Sequence, residues 1–296
     1  MASTPTKILV ATDFSATAEC AEKLGIRLAR QLGSELHLLH ARVILEDPLM
    51  AEEKRLEIER LLSSTDEARK SKFDRKLPSE PDLEVTTHLV RSLSAAEAIA
   101  ETVADLGCGL VIMGTNGRRG ISHLLLGSVA ERVVRSVDVP VLTVRSGVEL
   151  PEVWPKHILV AHDFSEQSSD AVRTAGAWAE ALDAELTVLH VVEPVVYPEF
   201  YSFNVVDDDV MIRLRDRATD ALDESVRDIL GPRPRNTVVL IGPAADTIVT
   251  EAEAPSIGLV VMGTRGLSGL ENLVLGSVAE GVLRRCPVPL LTVNGQ

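Results

Sequence analysis

The chain has 296 residues, 45 % of them apolar and 25 % charged, with a formal net charge of −14. That length fits two ordinary domains better than one, and no apolar run approaches the roughly 20 residues that span a bilayer. The acidic balance argues against a nucleic-acid binder, which needs a basic face. The charge is also uneven. Residues 1–148 carry 19 basic and 21 acidic side chains and residues 149–296 carry 11 and 23, so the halves stand at −2 and −12. Any phosphate ligand must therefore be held locally, against the overall field. The opening MASTPTKILVATD lacks the charged-then-apolar layout of a signal peptide, so a cytoplasmic location is expected. Cys20, Cys108 and Cys286 are scattered and form no C-x-x-C pair, which suggests neither a disulfide framework nor a zinc site.

Residues 7–12 form a short β-branched and apolar run that predicts a strand. A helix follows over 16–32, with Ala21, Leu24, Leu28 and Leu32 at helical spacing and Gly33 as its stop. The pattern continues with a strand at 36–41, a charged helix near 51–73, a strand at 84–90 and a helix near 94–106. A strand at 109–113, a helix near 122–136 and a strand at 140–144 complete the set. The second half repeats this order. Continuous apolar strands alternating with helices predict a parallel sheet covered on both faces, and right-handed crossovers make it doubly wound.

The repetition is visible residue by residue. KILVATDFS at 7–15 matches HILVAHDFS at 157–165 at seven of nine positions, and 111–144 matches 260–293 at twenty of thirty-four. A period near 150 residues is a duplicated domain, not a solenoid unit. The aperiodic stretch 145–156, with one Gly and two Pro, reads as the join. This sets the expected domains at 1–147 and 154–296, with a linker at 148–153. The halves differ most in their middle segments, about 44–82 and 193–236. The first is a charged helix centred on EEKRLEIERLL, and the second opens with EPVVYPEFYSFNVVDDD, which holds both tyrosines.

Chemistry-bearing residues recur in both copies. Asp13 and Asp163 end the first strand of each half, where open α/β sheets bind their ligands. An acid there can accept hydrogen bonds from a ribose or a base, reach a metal, or serve the turn. Ser15 and Ser165, two positions on, are the better helix N-caps. A glycine loop, G-x2-G-x9-G-S, follows the fourth strand twice: Gly114, Gly117, Gly127 and Ser128, then Gly263, Gly266, Gly276 and Ser277. Glycine allows positive φ and close approach of a phosphate. Consecutive N–H groups form an anion nest, and a helix start adds the positive end of its dipole. The serine can cap that helix or donate to a phosphate.

Two other phosphate motifs are excluded. No Lys precedes Ser128 or Ser277, so neither copy is a P-loop, and the first strands lack G-x-G-x-x-G. The first loop carries Arg118 and Arg119 where the second has Leu267 and Ser268, with Arg265 nearby. Arg neutralises phosphate oxygens directly, so tighter polyphosphate binding is expected in the first half. His40 and His190 read as strand-end structural histidines. His123 and His162 have no counterparts, since Asn272 and Thr12 stand there.

Taken in order, ATDFS or AHDFS, LLHA or VLHV, MGT-x-G, the nine-residue spacer, LGSVAE and VPVLTV or VPLLTV resemble the universal stress protein family in its tandem ATP-binding form. The resemblance implies two Rossmann-like domains, each a five-stranded parallel sheet of order 3-2-1-4-5. It implies adenine against the backbone of Ala41 and Val191, the acid at Asp13 and Asp163, and phosphates at the glycines and serines named above. It further implies an internal pseudo-dimer through 140–144 and 289–293, and leaves a further homodimer open. The family's glycine before the third helix survives as Gly242-Pro243-Ala244 but is Leu93-Ser94-Ala95 in the first half, which alters that rim. The expected function is a stress-response regulator or protectant that binds ATP with Mg²⁺ in each repeat. No general base is placed for rapid hydrolysis. A slow ATPase or nucleotidyl-transfer enzyme and a nucleotide-independent scaffold are the alternatives.

Overall fold

A computed structural model of the chain describes residues 4–43, 83–115, 126–148, 151, 153–193, 208–233, 235–264, 266 and 275–294. The charged segment expected as a helix near 51–73, both tyrosines, Gly117, Arg118 and Arg265 lie outside the described residues. The first repeat runs β1 (Lys7–Ala11), α1 (Ala16–Leu32), β2 (Glu35–Val43), β3 (Val85–Ser92), α2 (Ala95–Leu106), β4 (Leu110–Gly114), α3 (Ser128–Ser136) and β5 (Val141–Val144). The second runs β6 (His157–Ala161), α4 (Glu166–Leu182), β7 (Glu185–Val192), α5 (Asp208–Leu230), β8 (Asn236–Ile241), α6 (Ala244–Ala252), β9 (Ile257–Gly263), α7 (Ser277–Arg285) and β10 (Leu290–Val293).

Local chemistry sets the ends of the first helices. Ser15 caps α1 by accepting from Ala18 N, and Ser165 caps α4 by accepting from Ser168 N. Gly33 stops α1 in the left-handed conformation at φ 66°. Of the helix expected near 122–136, residues 122–125 lie outside the described residues and the described part runs from Ser128 to Ser136. Gly127 N donates to Thr115 O at 2.7 Å, which closes the glycine loop on itself. That bond holds Gly127 extended (φ −67°, ψ 138°), so helical geometry starts one residue later.

The strands form one ten-stranded sheet in the order β3-β2-β1-β4-β5-β10-β9-β6-β7-β8. Pairing within each repeat is parallel, and β5 meets β10 antiparallel, with Leu142 opposite Leu291. Thr143 Oγ1 donates to Leu290 O at 3.2 Å and Thr292 Oγ1 to Val141 O at 3.1 Å, so hydroxyls add to the ladder at the seam. One core layer packs Leu24 and Leu28 of α1, Val172 and Trp178 of α4, and Leu222 and Val226 of α5 onto the sheet. The other packs Ile99 of α2, Val133 of α3, Ile248 of α6 and Val282 of α7. Both layers run through the two repeats, and each fully buried aliphatic side chain contributes about 1.5–3 kcal/mol. The approach to the second repeat is anchored as well. Trp154 is buried, donates Nε1–H to Gly258 O at 2.6 Å, and accepts from Gln31 Nε2 at 3.0 Å through its carbonyl. Among the described residues, no helix is long and apolar enough to cross a membrane.

Candidate functional site

The strand order reverses between β1 and β4, and again between β6 and β9, so a crevice opens at the carboxyl ends of those strands. The chain leaves β1 and β6 through an unusual turn. Phe14 (φ 62°) and Phe164 (φ 65°) both occupy the left-handed region, which costs a side-chain-bearing residue about 1–3 kcal/mol. Ring packing offsets that strain. Phe14 lies 4.7 Å from the His40 ring, and Phe164 lies 4.6 Å from His190 and 5.1 Å from His162. His40 and His190 donate their Nδ1–H to the carbonyls of Thr12 and His162 at 2.7 and 2.8 Å. Both histidines are therefore fixed supports of the turn.

The turn presents the two aspartates. Asp13 Oδ1 accepts from Ser15 N at 2.9 Å. Asp163 Oδ1 accepts from Ser165 N at 3.1 Å and from Ser165 Oγ at 2.5 Å. Its other oxygen faces the glycine loop so closely that a methyl group on Gly266 would come within 2.4 Å of Asp163 Oδ2. A side chain at 266 would therefore force the Asp163 carboxylate to move. Gly114 has a different reason: a methyl there would meet Thr17 Cγ2 at 2.7 Å, so α1 packs directly on the end of β4.

Both loops return to their own starts. Gly127 N donates to Thr115 O and Gly276 N to Thr264 O, at 2.7 and 2.9 Å. The caps of α3 and α7 are these glycines, not the serines: Ser128 and Ser277 are the first helical residues. Neither glycine needs positive φ, since φ is −67° and −60°. What matters is the missing side chain. The first intrahelical bonds reach Glu131 N and Glu280 N, and among the described residues no side chain caps either end. A helix start of this kind presents the N–H groups of its first turn to a ligand or water.

In the second repeat these pieces enclose a cleft of about 290 Å³, near the lower end of ligand clefts, roughly 300–1,000 Å³. Asp163, Val191, Gly263, Gly266, Gly276 and Ser277 all line it, with Leu189, Ile248 and Met262 as apolar wall. In the first repeat Asp13, Ala41, Gly114, Gly127 and Ser128 occupy the same positions on the same elements.

Two lining residues, Ser168 and Glu193, carried no recognised signal in the sequence, and His162 and Ala244 were noted there only as an unmatched histidine and a rim position. His162 Nδ1 pairs with Ser168 Oγ at 2.8 Å and Nε2 with Ser225 Oγ at 3.0 Å. Burial holds its pKa below the ordinary histidine value, helped by His190 and opposed by Asp163 and the Ser168 contact. With both nitrogens engaged and 3 % of its surface exposed, this histidine is a neutral structural group and not a base for an attacking water. Glu193 Oε1 accepts from Ala244 N at 2.7 Å, at the start of α6. Its equivalent after β2 is Val43. Among the described residues, no three metal-ligating side chains gather.

The universal stress protein family pattern matches residues 5–145 and again residues 155–294. A universal stress protein of Thermus aquaticus is 34 % identical over 139 residues, which is 47 % of this chain and 98 % of that protein. One from Mycobacterium tuberculosis is 31 % identical over 189 residues, covering 62 % of this chain and 61 % of its own length. Among solved structures, a putative universal stress protein from Pseudomonas aeruginosa superposes with a TM-score of 0.62 at 21 % identity, over 98 % of this chain and 93 % of that one. One from Archaeoglobus fulgidus gives 0.61 at 20 % identity, over 97 % and 96 %. These structural likenesses speak to the fold alone. With the family pattern present once on each side of the β5–β10 seam, the chain belongs to the universal stress protein family, in its tandem form.

Proposed function

We propose that each repeat binds an adenine nucleotide at its strand switch point, and that the chain acts in the cytoplasm as a nucleotide-dependent stress-response regulator. The observation that supports this most directly is the second cleft. An acceptor at Asp163, an apolar wall around Val191 and an uncapped helix start at Gly276–Ser277 converge on one space. Acceptor, apolar slot and anion cradle are the three chemistries of a nucleoside phosphate. The base lies against the backbone at Val191 and Ala41, and the phosphate meets the starts of α7 and α3. A triphosphate would bring Mg²⁺ on its own oxygens, since that ion keeps several waters and needs few protein ligands. The chain's residues then bind and orient the nucleotide. Among the described residues no side chain in the cleft is arranged to activate a water, which supports binding over rapid turnover.

The test is direct. The purified chain is denatured, and any released nucleotide is identified by mass spectrometry. Titration calorimetry follows on the stripped protein and its Asp13→Ala and Asp163→Ala variants. The reading requires an adenine nucleotide in the released fraction, or saturable binding weakened in each variant. Neither release nor binding would leave the scaffold alternative standing.

A further inference from the structure

The residue that follows the last strand of each repeat reaches the other repeat. Asn294 follows β10 and donates from Nδ2 to Val134 O at 3.2 Å and to Val137 O. These carbonyls belong to the last turn of α3 and to its C-cap residue, where helix geometry leaves acceptors without an intrahelical partner. The second repeat thus closes the far end of the helix that begins with Ser128 at the first crevice. Arg145 follows β5 at the matching position, and its charge acts on Cys286, the C-cap residue of α7. The other side of the Asn294 amide holds its own glycine loop. Oδ1 accepts from Thr264 Oγ1 at 2.7 Å. Thr264 N donates to Val293 O at 3.1 Å, and Thr264 O accepts from Gly276 N at 2.9 Å. Gly276 is the N-cap of α7 and lines the second cleft. Two carbonyls on one side and a hydroxyl on the other fix the amide orientation.

We propose that Asn294 couples the two nucleotide sites, so that occupancy of one raises affinity at the other. The inference rests on the adenine-nucleotide reading above and adds regulation between the two sites. α3 has nine residues, short of the roughly 12–15 at which a helix begins to hold on its own. A phosphate at its start and the Asn294 amide at its end order the same rod, about 14 Å long. Order set at the first crevice passes to Asn294, then to Thr264, then to the Gly276 cap. A second nucleotide meets a loop already fixed and costs less conformational freedom on binding. By linkage the coupling acts equally in both directions.

The test uses the full chain, stripped of nucleotide, with ATP and Mg²⁺ as the probe. Amide NMR shifts of Ser128 and Ser277 report the two sites separately during titration. Asp13→Ala disables the first site and Asp163→Ala the second. Disabling the tighter site should raise the half-saturating ATP concentration at the weaker one about threefold to tenfold, the scale of one net hydrogen bond. Asn294→Ala breaks the link at its centre, and Thr264→Val breaks it on the second-repeat side alone. In either background the rise should vanish while both sites still saturate, and if one variant fails to fold the other decides. A half-saturation at the weaker site that is indifferent to the other site overturns the proposal. So does a rise that persists in either folded variant, which assigns the coupling to the shared core layers. Absence of saturable shifts at both Ser128 and Ser277 overturns the binding reading and this one with it. Saturable shifts without coupling overturn this one alone.

Discussion

The contact between Gly266 and Asp163 gives the sharpest handle on the site. Gly266→Ala places a methyl 2.4 Å from Asp163 Oδ2, about 1 Å inside an ordinary carbon–oxygen contact of roughly 3.4 Å. The carboxylate must then rotate. Rotation disturbs the bonds Oδ1 accepts from Ser165 N at 3.1 Å and Ser165 Oγ at 2.5 Å. Hydrogen bonds to a charged group contribute about 1.5–3 kcal/mol each when buried, and Asp163 is only half-buried. A net loss of about 1–2 kcal/mol follows, or a fall in Tm of roughly 2–3 °C for a chain of this size unfolding as one unit. Nucleotide affinity at the second repeat should drop about tenfold as the acid and loop part. The decisive assay is a double-mutant cycle read by chemical denaturation. In an Asp163→Ala background the added methyl meets no other described residue, so Gly266→Ala should cost close to zero. Simple addition of the two costs would refute the contact argument.

His162 stays neutral when folded because burial lowers its pKa from 6.5. The unfolded chain therefore binds a proton first as pH falls, and stability declines from about pH 6.5 down to the lowered folded value. His162→Thr, the residue of the first repeat, should flatten that part of the Tm–pH curve, whereas an unchanged slope would assign it elsewhere. Asn294→Ala removes an amide that donates to Val134 O at 3.2 Å and to Val137 O, and accepts from Thr264 Oγ1 at 2.7 Å. The expected cost is about 1–3 kcal/mol, seen as faster hydrogen exchange at the β5–β10 seam; exchange raised uniformly along the chain would count against a seam-specific role. Ser165→Ala should destabilise more than Ser15→Ala, by about 1 kcal/mol each for the cap plus the lost Asp163 contact, and equal melting shifts would contradict this.

How far the sequence could be read follows from the range of the interactions. The strands come from continuous apolar runs and the duplication from repetition, whereas the reversing strand order and the seam are implied only by the family resemblance. Ser15, Ser165 and Gly33 act within four residues of their own positions. The misjudged features are set by longer contacts. The start of α3 depends on Gly127 N reaching Thr115 O, and the reason for Gly114 lies in Thr17 on another element. His162 finds Ser225 across 63 positions of chain, so its role had no local trace. Glu193 looks like any strand-end acid until Ala244 is seen beside it. A comparison of the halves would have exposed it, since Val43 stands in the same place and is 51 % exposed.

The antiparallel join has consequences for both sites. All strands of one repeat run one way and all strands of the other run the opposite way. The carboxyl ends of β1 and β4 therefore lie on the opposite sheet edge from those of β6 and β9, and one ligand cannot span the two crevices. Any influence of one site on the other must pass through the contacts between the repeats, the seam and the shared core layers. Asn294 supplies a physical route there. It links Thr264, which holds the Gly276 cap through its carbonyl, to the last carbonyls of α3, whose first residue is Ser128. The seam also occupies β5 and β10 on both sides, leaving β3 and β8 as the outer strands. A further homodimer could not reuse the pairing edge that joins the repeats, because that edge is already occupied within the chain.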